Sequence, residues 1–116
     1  EWNGMEWNGM ERNGVEWNKE RLRKELKVVR DFQLKYNVPI FVGEFSAIRW
    51  APENSAERYL QDCIELFEEY GWDWTYHAFR EYHGWSVEHS TDKRDIKRRQ
   101  TTPRKELLLK YFRRNK

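Results

Sequence analysis

The chain holds a single cysteine, Cys63, in 116 residues, so no intrachain disulfide framework can staple it. Long apolar runs are missing as well. None approaches the roughly 20 residues a bilayer-spanning helix requires, and no membrane partner is expected. Hydrophobic residues make up only 38% of the chain and the mean hydropathy is −1.13. At this length there is chain for one core and no more. The chain shows no basic-then-apolar leader and begins at Glu1 rather than Met, which leads us to expect a piece of a longer protein. What the chain does have is aromatic surface and charge. Aromatic residues reach 16%, with seven tryptophans, and charged residues reach 36%.

The formal net charge of +2 hides an asymmetry. Residues 1–92 carry 11 basic and 18 acidic side chains, whereas residues 93–116 carry 11 basic and 2 acidic ones. A basic tail can hold nucleic acid or an acidic partner. Here Lys105, Lys110 and Arg113 alternate with Leu107, Leu108, Leu109 and Phe112. That pattern suits an amphipathic helix with a basic outer face, and nucleic-acid binding ranks last among the functions considered.

Residues 1–18 repeat with a period of five: Glu-Trp-Asn-Gly-Met twice, Glu-Arg-Asn-Gly-Val, then Glu16-Trp17-Asn18. Asn-Gly favours turns, and a five-residue period builds no apolar face on helix or strand. The segment reads as a low-complexity leader, expected to be poorly ordered, with sugar stacking by Trp2, Trp7 or Trp17 a minor alternative. Residues 19–116 read as the folded part. A helix is predicted over 19–36, capped by Asn18, with an apolar stripe at Leu22, Leu26 and Val29 and with Phe32 close to it. Asn37 and Pro39 end it. Residues 38–45 form an apolar run suited to a parallel strand buried on both faces. Asn54 and Glu57 resemble a capping box for a second helix over 55–70, which buries Leu60, Cys63, Ile64 and Phe67 and stops at Gly71. A second strand is expected over 72–79, with Trp72 and Trp74 packed against helices. An extended loop follows over 80–101, and a last helix starts behind Thr102-Pro103 and runs to about 113. Helix, strand, helix, strand, helix in this order argues for an α/β fold with a parallel sheet. Two strands leave open edges, which predicts self-association or support from further segments.

Glu44 is the most informative position. It ends an apolar strand between Gly43 and Phe45, where burial would strip its hydration. At the C-terminal end of a parallel strand it would face the crevice where α/β proteins bind ligands. Position alone leaves two readings open: a catalytic carboxylate, or a strand-end Glu paired with an arginine or capping a helix. The residues Asn37-Val-Pro-Ile-Phe-Val-Gly-Glu-Phe-Ser46 resemble the seventh strand of glycoside hydrolase family 5, whose nucleophile sits in such a Gly-Glu-Phe motif. The stretch from Gly71 to Trp85 is similar to the following strand, and Glu106 to Phe112 to the closing helix. The resemblance spans residues 19–116.

It implies the last two strands and three helices of a (β/α)₈ TIM barrel, preceded by the repeat. It also implies a retaining, cellulase-like O-glycosyl hydrolase acting on β-linked polysaccharide with no cofactor, its parent secreted or periplasmic. Glu44 would be the nucleophile, and a second carboxyl group would protonate the leaving oxygen. The family's acid/base Glu follows an Asn, and no Asn-Glu pair occurs in this chain. The acid/base residue is therefore unidentified, and the chain alone is expected to be inactive. Glu81 and Glu88 read as solvated loop carboxylates or arginine partners. Sugar rings stack on flat side chains, which nominates Trp50, Phe79 and Trp85, while His77 or Phe79 falls where the family places a Trp. His77, His83 and His89 recur every six residues, a spacing that matches no metal site. The alternative function is a non-catalytic carbohydrate-binding remnant using Trp50 and Trp85.

Overall fold

The computed structural model describes residues 11–12, 15–16 and 18–115. Trp2, Trp7 and Trp17 lie outside the described residues, as do Asn13 and Gly14 and the remainder of the repeat before Glu11. Within the repeat, β1 (Glu11–Arg12) pairs antiparallel with β2 (Val15–Glu16).

Helix α1 (Lys19–Tyr36) begins where the Asn18 side chain accepts a hydrogen bond from the Arg21 N–H at 2.9 Å. It ends at Asn37, whose left-handed backbone (φ 51°) lets its N–H reach the Gln33 carbonyl, as expected for a C-terminal cap. Leu22 is buried, and Leu26 and Val29 are half-buried on the core. Phe32 departs from the expected stripe: it is 53% exposed and tilts against Tyr36 instead. The helix is held to α2 (Ser55–Tyr70) by polar contacts, Lys19 to Glu65 at 2.6 Å and Arg23 to Glu69 at 2.6 Å, with Arg30 over the Tyr70 ring.

The anticipated stripe on α2 is fully buried: Leu60, Cys63, Ile64 and Phe67, joined by Tyr59 and Leu66. Burial pushes the Cys63 thiol well up from its usual range, which keeps it an inert core group. Gly71, at φ 71°, closes the helix. The expected capping box does not form. Asn54 is left-handed (φ 58°) at the end of a 3₁₀ turn, Pro52–Asn54, and its side chain makes no cap hydrogen bond. An extended backbone is needed there to aim the side chain at the first-turn amides.

Strands β3 (Phe41–Phe45) and β4 (Asp73–Tyr76) pair in parallel, with Phe41 opposite Asp73, Val42 opposite Trp74 and Phe45 opposite Tyr76. Both are shorter than predicted. The flanking amides are committed elsewhere: Val38 N–H donates to Gln33 in the α1 cap, and Trp72 N–H donates to Phe67 in the α2 cap. Nor is β3 buried on both faces. Phe41 is 65% exposed and only Phe45 of the strand is buried, because among the described residues β4 is the sole strand beside it. Phe45 meets Phe67, Trp74 and Tyr76 edge-on at 5.2, 5.5 and 5.8 Å, which sets the centre of the core. As expected, Trp72 is buried beside Phe67, and Trp74 stacks on Phe112.

Helix α3 (Pro103–Phe112) starts where Thr102 Oγ1 accepts from the Lys105 N–H at 3.1 Å. Between β4 and α3 the chain makes a long irregular excursion. Two buried arginines hold it. Arg49, fully buried, donates to the carbonyls of His83, Ser90, Asp92 and Lys93 at 2.9, 2.6, 2.7 and 3.3 Å. Arg104 donates to the carbonyls of Ser86 and His89. Burial lowers the proton affinity of both guanidinium groups; this desolvation is offset by several charge-assisted hydrogen bonds.

Candidate active site

The C-terminal ends of β3 and β4 lie side by side because the strands are parallel. Glu44 is the penultimate residue of β3, and His77 directly follows β4, with its N–H donating to the Phe45 carbonyl at 3.0 Å. The peptide between His77 and Ala78 is cis. This register sets the His77 ring beside the Glu44 carboxylate, Nδ1 to Oε1 at 3.9 Å. On the other side of the ring, Nε2 lies 3.6 Å from Oε2 of Glu81. Both carboxylates are open to solvent, at 75% and 66% side-chain exposure, and the imidazole between them is 27% exposed. The loss of hydration anticipated for Glu44 therefore does not occur in this chain, since no further strand among the described residues covers its face of β3.

The other nominated residues do not gather there. Phe79, 79% exposed, carries the Arg80 guanidinium over its ring and lines a cleft of about 440 Å³ between β4 and α3, together with Trp74, Tyr76, Leu109 and Phe112. Trp50 is half-buried, with Arg49 at 5.4 Å, Lys93 at 5.1 Å and His83 at 5.9 Å from its ring. Trp85 is half-buried against the core and meets Tyr82 edge-on at 5.6 Å. Tyr76, whose hydroxyl donates to the Trp85 carbonyl, is held protonated to higher pH than usual by burial.

The two loop carboxylates separate clearly. Glu88 is an arginine partner, as expected: Arg80 at 2.9 Å and Lys105 at 3.4 Å favour its ionised form and lower its proton affinity. Glu81 pairs with His77 rather than an arginine. His89 is buried between Ser86 Oγ and the Ile96 carbonyl, and burial lowers its proton affinity. Among the described residues no group of three or more His, Cys, Asp or Glu side chains is arranged to hold a metal ion.

Arg49 and Arg104, which shape the loop beside this site, were not nominated from the sequence. For Arg49 a signal was present, a lone cation inside the apolar run Ala47-Ile48-Arg49-Trp50-Ala51. A charge so placed must either leave the core or find partners inside it.

No family model matches the chain, and no curated protein does. Solved structures do. A glycoside hydrolase crystal structure superposes with a TM-score of 0.60 at 27% identity, over 70% of this chain and 24% of that one. A hyperthermophilic endo-β-1,4-glucanase in complex with substrate gives 0.54 at 32% identity, over 64% of this chain and 25% of that one. Thermotoga maritima Cel5A, solved with cellobiose, gives 0.58 over 86% of this chain and 28% of that one; at 23% identity this likeness concerns the fold alone. The chain spans about a quarter of the length of these structures. Its residues 19–115 form a small α/β unit with three α-helices and two parallel strands, similar to parts of glycoside hydrolases.

Proposed function

We propose that residues 19–116 are the C-terminal part of a family 5 type glycoside hydrolase barrel, preceded by the repeat of residues 1–18, and that Glu44 is the nucleophile of a retaining reaction on β-linked glucan or a related polysaccharide. One observation carries this reading: Glu44 stands exposed at the C-terminal end of a parallel strand, in a chain similar to parts of solved glycoside hydrolases. In α/β sheets and barrels that end is where substrates meet catalytic side chains. Glu44 would attack the anomeric carbon while the glycosidic oxygen leaves, and water would then release the sugar from the carboxylate. His77 lies next to the nucleophile. Trp50, Phe79 and Trp85 are proposed sugar contacts of the complete protein, where further strands would supply most of the cleft. The chain alone is not expected to turn over polysaccharide.

Exposure to 2,4-dinitrophenyl 2-deoxy-2-fluoro-β-cellobioside tests the nucleophile, because this leaving group needs no protonation. Intact-mass and peptide mass spectrometry should find one cellobiosyl adduct on Glu44, absent in Glu44→Gln. An adduct on another carboxylate would overturn the assignment.

A further inference from the structure

The loop between β4 and α3 closes over a cluster of imidazole and guanidinium groups that the reading of Glu44 leaves unused. Arg49 Nη2 lies 3.0 Å from Nδ1 of His83. A guanidinium has hydrogens to give and no lone pair to offer, so Nδ1 accepts and the His83 ring is neutral in this arrangement. His89 is buried in the same cluster, its ring 6.2 Å from that of His83. Its Nε2 donates to the Ile96 carbonyl at 3.1 Å, and its Nδ1 meets the Ser86 hydroxyl at 2.8 Å. The surroundings are mostly cationic. Arg80, Arg98 and Tyr82 line a cavity of about 250 Å³ with the two rings, and Arg104, from α3, donates to the His89 carbonyl. The acidic groups face other partners: Asp92 and Asp95 act on Arg49, Glu57 of α2 and Tyr76 of β4 act on Arg104, and Glu88 is engaged by Arg80 and Lys105. Among the described residues, His77 is the one histidine in ion-pair range of a carboxylate.

We propose that this cluster is an acid-operated latch: protonation of His83 and His89 releases the loop around residues 83–96 from Arg49. A hydrogen on Nδ1 of His83 would set two cations face to face and remove one of the acceptors that Arg49 uses. Burial, with Arg49, His83 and Arg98 beside it, lowers the proton affinity of His89, and the bond to the Ile96 carbonyl opposes this only in part. Opening the loop gives both rings to water, where an imidazole binds a proton near pH 6.5. Closing therefore expels protons below that pH. The stability of the closed form is complete above about pH 6.5 and declines as pH falls. Each ring barred from protonation while the loop is closed favours opening by about 30-fold at pH 5. The loop carries Trp85, and the His83 ring lies 5.9 Å from that of Trp50, so opening would loosen the rim that holds both proposed sugar contacts. The latch is local to the loop and holds whatever role Glu44 plays.

Hydrogen exchange followed by NMR on the full chain tests the latch. The reporters are the amides of Arg49 and Ser86, which donate to the Gly84 and His83 carbonyls. After correction for the intrinsic exchange rate, they should lose at least about tenfold in protection between pH 7.5 and pH 5. The amides of Ile64 and Phe67 in α2 should keep theirs. In the double variant His83→Gln, His89→Gln the one histidine left is His77, and the loss should disappear. An equal loss in that variant, or protection in the unmodified chain that stays flat to pH 5, would overturn the latch. Ring ¹⁵N spectra of the unmodified chain give a second reading that needs no variant to fold. His83 should hold its hydrogen on Nε2 at pH 7.5 and gain one on Nδ1 over the range in which protection is lost. A hydrogen already on Nδ1 at pH 7.5, or a ring titration that leaves protection unchanged, would overturn it as well.

Discussion

Arg49 and Arg104 are the residues whose loss should be felt most. Each brings a cation into the core and surrounds it with main-chain carbonyls. Truncation removes hydrogen bonds to a charged group and leaves buried acceptors without donors. We expect Arg104→Met to cost about 2–3 kcal/mol in chemical denaturation, with the loop between β4 and α3 losing hydrogen-exchange protection first. Asp95 marks a second anchor in that loop. Arg99, the Lys97 N–H and Ser90 hold its carboxyl down to about 2. A carboxyl depressed on folding adds stability above its unfolded value, near 4, and loses it as pH falls through the folded value. Melting temperature followed from pH 5 to pH 2 should therefore fall less steeply in Asp95→Asn than in the unmodified chain.

At the level of elements, what was legible and what was not divides along physical lines. The helices could be read because each announces itself locally: a periodic apolar face, Asn18 and Thr102 in front, Asn37 and Gly71 behind. Strand ends could not be read from apolarity alone, since Val38 and Trp72 are as apolar as their neighbours but give their N–H groups to helix caps. Asn54 shows the same limit at the start of α2, where residue type suggested a cap and backbone conformation denied it. Glu44 and His77 could be nominated individually; their juxtaposition depends on the parallel register, and the involvement of Glu81 depends on a turn with no sequence signature. The loop's shape was hidden for a further reason. Arginines that bind carbonyls many residues away leave no pattern among the side chains they hold. Two cap predictions follow. Gly71→Ala should cost about 1 kcal/mol through its backbone (φ 71°) alone, because nothing lies within 4 Å of an added Cβ. Thr102→Ala should cost about the same or more, as its hydroxyl both caps α3 and donates to the Val87 carbonyl. Thermal unfolding of the two variants measures both.

On the scale of the whole molecule, the β3–β4 sheet has two strands among the described residues, and hence two open edges. Beside one of them the cleft between β4 and α3 leaves Phe79 and Phe112 in contact with water, at 79% and 42% exposure. Exposed apolar surface beside an unpaired strand favours association. We expect sedimentation velocity to show concentration-dependent oligomers, and Phe112→Lys to shift the distribution toward monomer. A single sharp monomer across the concentration range would contradict this. The acidic balance of residues 1–92 and the basic balance of 93–116 would strengthen such contacts at low salt and weaken them as ionic strength rises.

The two buried arginines also separate the shape of the loop from its spelling. Apart from the His83 ring, which lies 3.0 Å from Arg49, they grip the backbone at His83, Ser86, His89, Ser90, Asp92 and Lys93. A carbonyl is the same whatever side chain is attached to it. At the exposed positions of this stretch, side chains can therefore be exchanged without removing the carbonyls that the two arginines hold.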